Sequence, residues 1–143
     1  EIGDRRGEGN ALGNLGAAYY SLGETRRAVE LYEQALVIDR EIGDRRGEGA
    51  DLGNLGLAYA DLGETRRSVE LHEQQLVITR EIGDRSGEAI TNWNLGLAYE
   101  KEGDLPRAIA NMQVYVAYLQ ELGHPDAAKR AERVADLKRR AGL

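Results

Sequence analysis

The stretch "GEGNALGNLG", Gly7–Gly16, holds four glycines in ten residues. Its Gly-x-Gly opening is also how a phosphate-cradling loop begins, so its reading separates a nucleotide enzyme from a helical scaffold. A dinucleotide loop follows a buried strand and opens a helix, and a P-loop closes on Lys-Ser/Thr. The residues before the second copy of this stretch, Ala35–Ile42, follow a helical pattern, and no Lys-Ser/Thr comes after the glycines. The stretch therefore lacks the context of either nucleotide site.

Self-similarity explains the glycines better. "EIGDRRGEG" stands at Glu1–Gly9 and again at Glu41–Gly49, "EIGDRSGEA" at Glu81–Ala89, and "ELGHPDAA" at Glu121–Ala128. The period is 40 residues, and residues 1–40 match 41–80 at 31 of 40 positions. The third unit keeps the frame but diverges. A short period of this kind marks a repeat array.

Each unit reads as two helices. Leu12, Leu15, Gly16, Tyr19 and Leu22 recur at spacings of three and four, an amphipathic stripe. Gly23 suits the left-handed position that ends a helix. Thr25 is the expected N-cap of the second helix, and Pro106, in the same frame, is expected at its first position. The second helix is expected to bury Ala28, Leu31, Tyr32, Ala35, Leu36 and Ile38. Gly43 ends it, and Asp44 caps the next. An interior glycine costs about 1 kcal/mol relative to alanine, so each needs a reason. Gly16, Gly56 and Gly96 sit in the buried stripe, where a missing Cβ lets a neighbouring helix approach. Gly13 and Gly53 lie off it, and either soften the helix or leave room for a ligand's backbone.

Composition narrows the function. The chain has 143 residues, a net charge of −6 and no cysteine. That excludes disulfides, thiol nucleophiles and Cys-based metal sites. Its two histidines, His72 and His124, are far apart, so no metal site or cofactor is expected. His72 takes the place of Tyr32 in the repeat frame, which predicts partly buried packing. No nucleophile, base and orienting group converge, so the chain is not expected to be an enzyme. The acidic balance argues against nucleic acid and anionic membrane as partners. No apolar run is long enough to span a membrane, and a cytoplasmic setting is the expectation. The chain opens on Glu1 rather than Met, as a piece of a longer protein would.

Leu12, Leu15-Gly16, Tyr19, Ala28 and Tyr32 resemble the tetratricopeptide repeat pattern. The second unit gives Leu52, Leu55-Gly56, Tyr59, Ser68 and His72. The third gives Leu95-Gly96, Tyr99, Ala108 and Met112. The family's usual period is about 34 residues, and the proline that closes its second helix is replaced here by Arg40, Arg80 and Gln120. The longer period and the "GDRxGE" connectors resemble Pins-type adaptors and bacterial signalling arrays, and more loosely kinesin light chain. The resemblance implies an all-α fold: an α-solenoid of three antiparallel helix pairs in a right-handed superhelix. The units span about 4–43, 44–83 and 84–123. A basic seventh helix at about 125–141 closes the core with Ala127, Ala131, Val134, Leu137 and Ala141. Its Lys129, Arg130, Arg133, Lys138, Arg139 and Arg140 form either a solvated face or a patch for an acidic partner or nucleic acid.

The resemblance also implies a function, the capture of a peptide or protein segment in a concave groove lined by the first helices. Carried over by residue, the groove shows Asn10, Asn14, Ala17 and Tyr20 in the first unit. It continues with Asn54, Leu57 and Asp61 in the second, and with Ile90, Trp93, Asn94, Leu97 and Lys101 in the third. Asn14, Asn54 and Asn94 repeat once per unit, and an amide both donates to and accepts from a peptide backbone. They serve either a ligand or a neighbouring helix. The family's carboxylate clamp is absent, since Gly13, Ala17, Gly53, Leu57, Trp93 and Leu97 stand nearest its positions. That leaves a mostly neutral groove suited to an apolar extended or helical segment. Trp93 is either an interface anchor or packing against the last helix. The alternative is self-association, with repeats stacking end to end into a homo-oligomer. Glu1-Ile2-Gly3 matches the end of a second helix, so the first helix pair is expected to expose an apolar face. Polar substitutions at Leu12 or Leu15 are expected to disturb the fold itself.

Overall fold

The computed structural model describes residues 2–143, with the side chain of Ile2 also outside the description. Among them it has seven helices and no strand: α1 (Ile2–Ser21), α2 (Thr25–Ile42), α3 (Arg45–Asp61), α4 (Thr65–Glu81), α5 (Arg85–Lys101), α6 (Leu105–Glu121) and α7 (Ala127–Ala141). The helices group into two compact units, one running through Gly83 and one spanning Asp84–Leu143. The first holds the pairs α1–α2 and α3–α4, with α2 packed on α3. The second holds α5–α6, with α7 packed on α6. This is an all-α helical-repeat fold. Ile2 and Gly3 belong to α1 itself, so the expected break between a preceding helix and α1 is not seen.

The connectors between pairs follow their sequence closely. Gly43 ends α2 at φ 71°, in the left-handed region that a side chain disfavours. The Asp44 N–H then donates to Asp39 O at 2.9 Å, and its carboxylate accepts from the Gly47 N–H at 2.9 Å, capping α3. Asp84 caps α5 in the same way at 2.8 Å. Within pairs, two expectations need correction. Thr25 is the first helical residue, and the N-cap is Glu24, whose side chain makes no capping bond. A glutamate is one methylene too long for the close fold-back that capping requires. Pro106 follows Leu105 in the first turn of α6, and there Asp104 accepts from the Arg107 N–H at 3.2 Å.

The core of the first unit runs through Ala28, Val29, Tyr32 and Leu36 of α2, Leu52, Leu55 and Ala58 of α3, and Leu71 and Ile78 of α4. Ala35 and Ile38 are buried as expected, and Leu31 is half-buried. The stripe glycines are explained by direct overlap. A Cβ on Gly16 would lie 2.8 Å from the Tyr32 ring, one on Gly56 would lie 2.6 Å from the His72 ring, and one on Gly96 would strike Met112. The residue 16 positions on thus rests on each glycine, and its size sets how closely the two helices of a pair approach.

The α1 stripe departs from its expectation. Leu55 is 1% exposed, but its repeat equivalent Leu15 is 47% exposed, and Leu22 is exposed as well. α3 is enclosed between α2 and α4, whereas α1 packs on α2 and touches α3 only slightly. Leu15 therefore lies on a face of α1 that α2 does not cover.

Candidate peptide-binding face

The first helices of the pairs carry every residue of the expected groove. In the first unit Asn10, Asn14, Ala17, Leu57 and Asp61 are exposed, and Tyr20 and Asn54 are half-buried. The Tyr20 hydroxyl donates to Asp61 Oδ2, joining α1 to α3 across this face. Burial, and then the Asp61 carboxylate, push the Tyr20 phenol up to about 12, so it remains a donor at neutral pH. In the second unit Ile90, Leu97 and Lys101 are exposed, and Trp93 and Asn94 are half-buried.

The repeated amides differ from the other asparagines of α5 and α6. Asn92 donates to Glu88 O at 2.9 Å and accepts from Asn111 at 3.0 Å, a bond that ties α5 to α6. Among the described residues, Asn14, Asn54 and Asn94 make no such side-chain bond. Beside them lie exposed apolar groups, Leu57 at 41% and Leu97 at 37% exposure.

Gly53 does not serve this face. A Cβ there would collide with the amide of Gln75, which lies over it. Gly13 is more open, with Asp51 Oδ1 at 3.7 Å from the corresponding Cβ position. The third unit replaces Gly53 and Gln75 with Trp93 and Tyr115, whose ring centroids are 5.2 Å apart. The Arg130 guanidinium of α7 lies 4.9 Å over the Trp93 ring. Trp93 is thus engaged by α6 and α7 and keeps only part of its surface for a ligand.

Much of the remaining polar sequence is scaffold. Arg45 of α3 pairs with Glu81 at the end of α4 at 2.6 Å, and Arg85 of α5 pairs with Glu121 of α6 at 2.7 Å. Arg5 and Glu41 make the equivalent pair between α1 and α2. Glu48 accepts from Arg40 at 3.0 Å and from Arg45 at 2.8 Å. The "GDRxGE" connector is therefore a cap followed by a clamp between helix ends. The basic face of α7 is also engaged. Arg133 and Arg140 both bind Glu100 of α5, at 2.6 and 3.0 Å, and Arg139 binds Glu132 and Asp136. His72 is buried, with Nδ1 3.1 Å from Gln75 Oε1. Burial holds its imidazole below the usual range, as a neutral core group. Sequence reasoning missed one pair altogether, the buried carboxyls of Asp39 and Asp51. The signal was a double departure from the repeat, since Thr79 and Thr91 occupy the same positions one period later.

The tetratricopeptide repeat pattern matches residues 49–121, just over half the chain, and separately residues 9–41. The chain belongs to the tetratricopeptide repeat family. No curated protein matches this tetratricopeptide chain in sequence. Among solved structures it is similar to the apo form of RapI, with a TM-score of 0.88 and 16% identity over 97% of this chain and 39% of RapI. It is also similar to BtubC from P. vanneervenii, with a TM-score of 0.85 and 22% identity over 94% of this chain and 56% of that one. The tetratricopeptide domain of Arabidopsis FLU gives 0.78 and 21% identity over 82% of this chain and 98% of that domain. At these identities the likeness is one of fold. The chain spans 39% of RapI and 56% of BtubC. Family membership makes it a protein–protein interaction module in general terms. No helix among the described residues is long and apolar enough to cross a membrane.

Proposed function

We propose that the first-helix faces bind an extended, mostly apolar peptide or protein segment, as the recognition arm of a longer cytoplasmic signalling or regulatory protein. The observation that carries this reading is the set of amides Asn14, Asn54 and Asn94. They recur once per repeat and make no side-chain hydrogen bond among the described residues, while Leu57 and Leu97 lie exposed in neighbouring turns. Amides at a repeat spacing hold a backbone without reading its side chains, and the apolar groups select what lies between them. The test is selection of peptides from a random display library on the wild-type chain. Replacing Asn14, Asn54 and Asn94 together by alanine should weaken the selected peptides at least tenfold, as expected for losing about 0.5–1.5 kcal/mol at each amide. Unchanged affinity removes this face from the account.

A second reading is end-to-end self-association through α1, and the exposure of Leu15 favours it. That exposure also makes Leu15→Glu usable, contrary to the expectation from sequence, because the side chain is not part of the buried core. Light scattering over a hundredfold concentration range should show the wild type growing in mass and Leu15→Glu remaining monomeric. A wild type that is monomeric throughout rules this reading out.

A further inference from the structure

We propose that Asp39 and Asp51 form a proton-sharing latch that seats the first helix pair on the second, and that losing the shared proton loosens this junction. The two carboxyls project from α2 and α3 into the α2–α3 contact, and each side chain is 5% exposed. The helical glycines border both acids: Cβ positions on Gly9 and Gly47 would meet the Asp39 carboxyl, and one on Gly13 would lie 3.7 Å from Asp51 Oδ1. Asp51 Oδ2 is fully buried with no hydrogen-bond partner. Two carboxylates cannot donate to each other, so two buried at one junction hold a proton or repel. The site is shaped for the pair: Gly9 of α1 and Gly47 of α3 leave the space that the Asp39 carboxyl occupies. Gly9 of the opening glycine stretch thus makes room for an acid, not for a phosphate.

The surrounding charges favour protonation on balance. The α3 cap Asp44 opposes the negative charge on both carboxyls, and Glu48 of α3 opposes it on Asp39. From α1, Arg6 favours the charged form of Asp39, but it is itself paired with Asp44 at 2.7 Å. From α2, the Tyr32 phenol is held up by burial and by Asp51, and so stays neutral. Burial comes first for both acids, and Asp51 is pushed up to about 8 by burial and then by Asp39. An acid raised in the folded state binds its proton more tightly there than in the unfolded chain. Its stabilising effect is complete below the unfolded value near 4 and is lost as pH rises to about 8. The junction therefore tightens under acid conditions and relaxes under alkaline ones.

The direct test is the ¹³C titration of the Asp51 carboxyl in the wild-type chain. A midpoint above pH 6 supports the latch, and a midpoint at or below 6 overturns it. Thermal unfolding between pH 6.5 and 9 supplies the second arm. The wild type should lose several degrees of melting temperature as pH rises, while Asp51→Asn, neutral throughout and able to donate to Asp39, should stay level. An Asp51→Asn profile parallel to the wild type would overturn the latch. If that variant does not fold, the carboxyl titration still decides.

Discussion

At the scale of single residues, the glycines that first suggest a nucleotide loop divide by what a methyl group would meet. Gly56→Ala drives a Cβ into the buried His72 ring at 2.6 Å. It should destabilise the chain by about 1–3 kcal/mol, the usual cost of overpacking. Gly13→Ala meets nothing closer than 3.7 Å. It should raise stability by up to about 1 kcal/mol through helix propensity. Urea unfolding of the two variants checks both signs. His72 makes a separate prediction. Its imidazole is held below its ordinary 6.5 by burial, so the unfolded chain binds the proton more readily. Stability should then fall as pH drops through about 6.5, opposite in sign to the acid pair. His72→Tyr restores the Tyr32–Gly16 arrangement and should remove that acid-side loss in melting curves between pH 7 and 5. The stripe glycines were legible in the sequence because their repeat positions match the family pattern. Asp39 and Asp51 were not, because their meeting depends on how α2 packs on α3.

At the scale of elements, local chemistry decided which expectations held. Gly43, Asp44 and the start of α3 read correctly because a left-handed glycine and a short capping carboxylate act within four residues. Thr25 misled because α2 begins one residue earlier than a threonine cap would place it. Asp44→Ala should therefore cost about 1 kcal/mol by losing the bond to the Gly47 N–H. Glu24→Ala should be nearly neutral, since that side chain caps nothing. Denaturation midpoints of the two variants give the comparison. For α7, the sequence left open a solvated face or a patch for an acidic partner or nucleic acid. The structure spends Arg130 on Trp93 and Arg133 and Arg140 on Glu100, so these cations serve docking. Trp93→Ala should speed amide exchange in α7 more than in α1–α4. Equal effects would mean that the ring stack does not hold α7.

At the scale of the whole molecule, the 40-residue period made the repeat architecture and the family legible, because every unit restates the same helix-pair pattern. The proposed binding face was legible only as positions on first helices. Two of its features depended on packing: the bridge from Tyr20 to Asp61, and the covering of Trp93 by Tyr115 and Arg130. The claim that matters most is that the repeated amides hold a peptide backbone. It is tested most directly by NMR on the ¹⁵N-labelled chain, titrated with a library-selected peptide while the asparagine side-chain signals are followed. The account predicts that the Asn14, Asn54 and Asn94 amide signals shift together and saturate at one dissociation constant, with Asn92 and Asn111 unmoved. Shifts confined to α4, α6 or α7, with the three repeated amides unchanged, would contradict it.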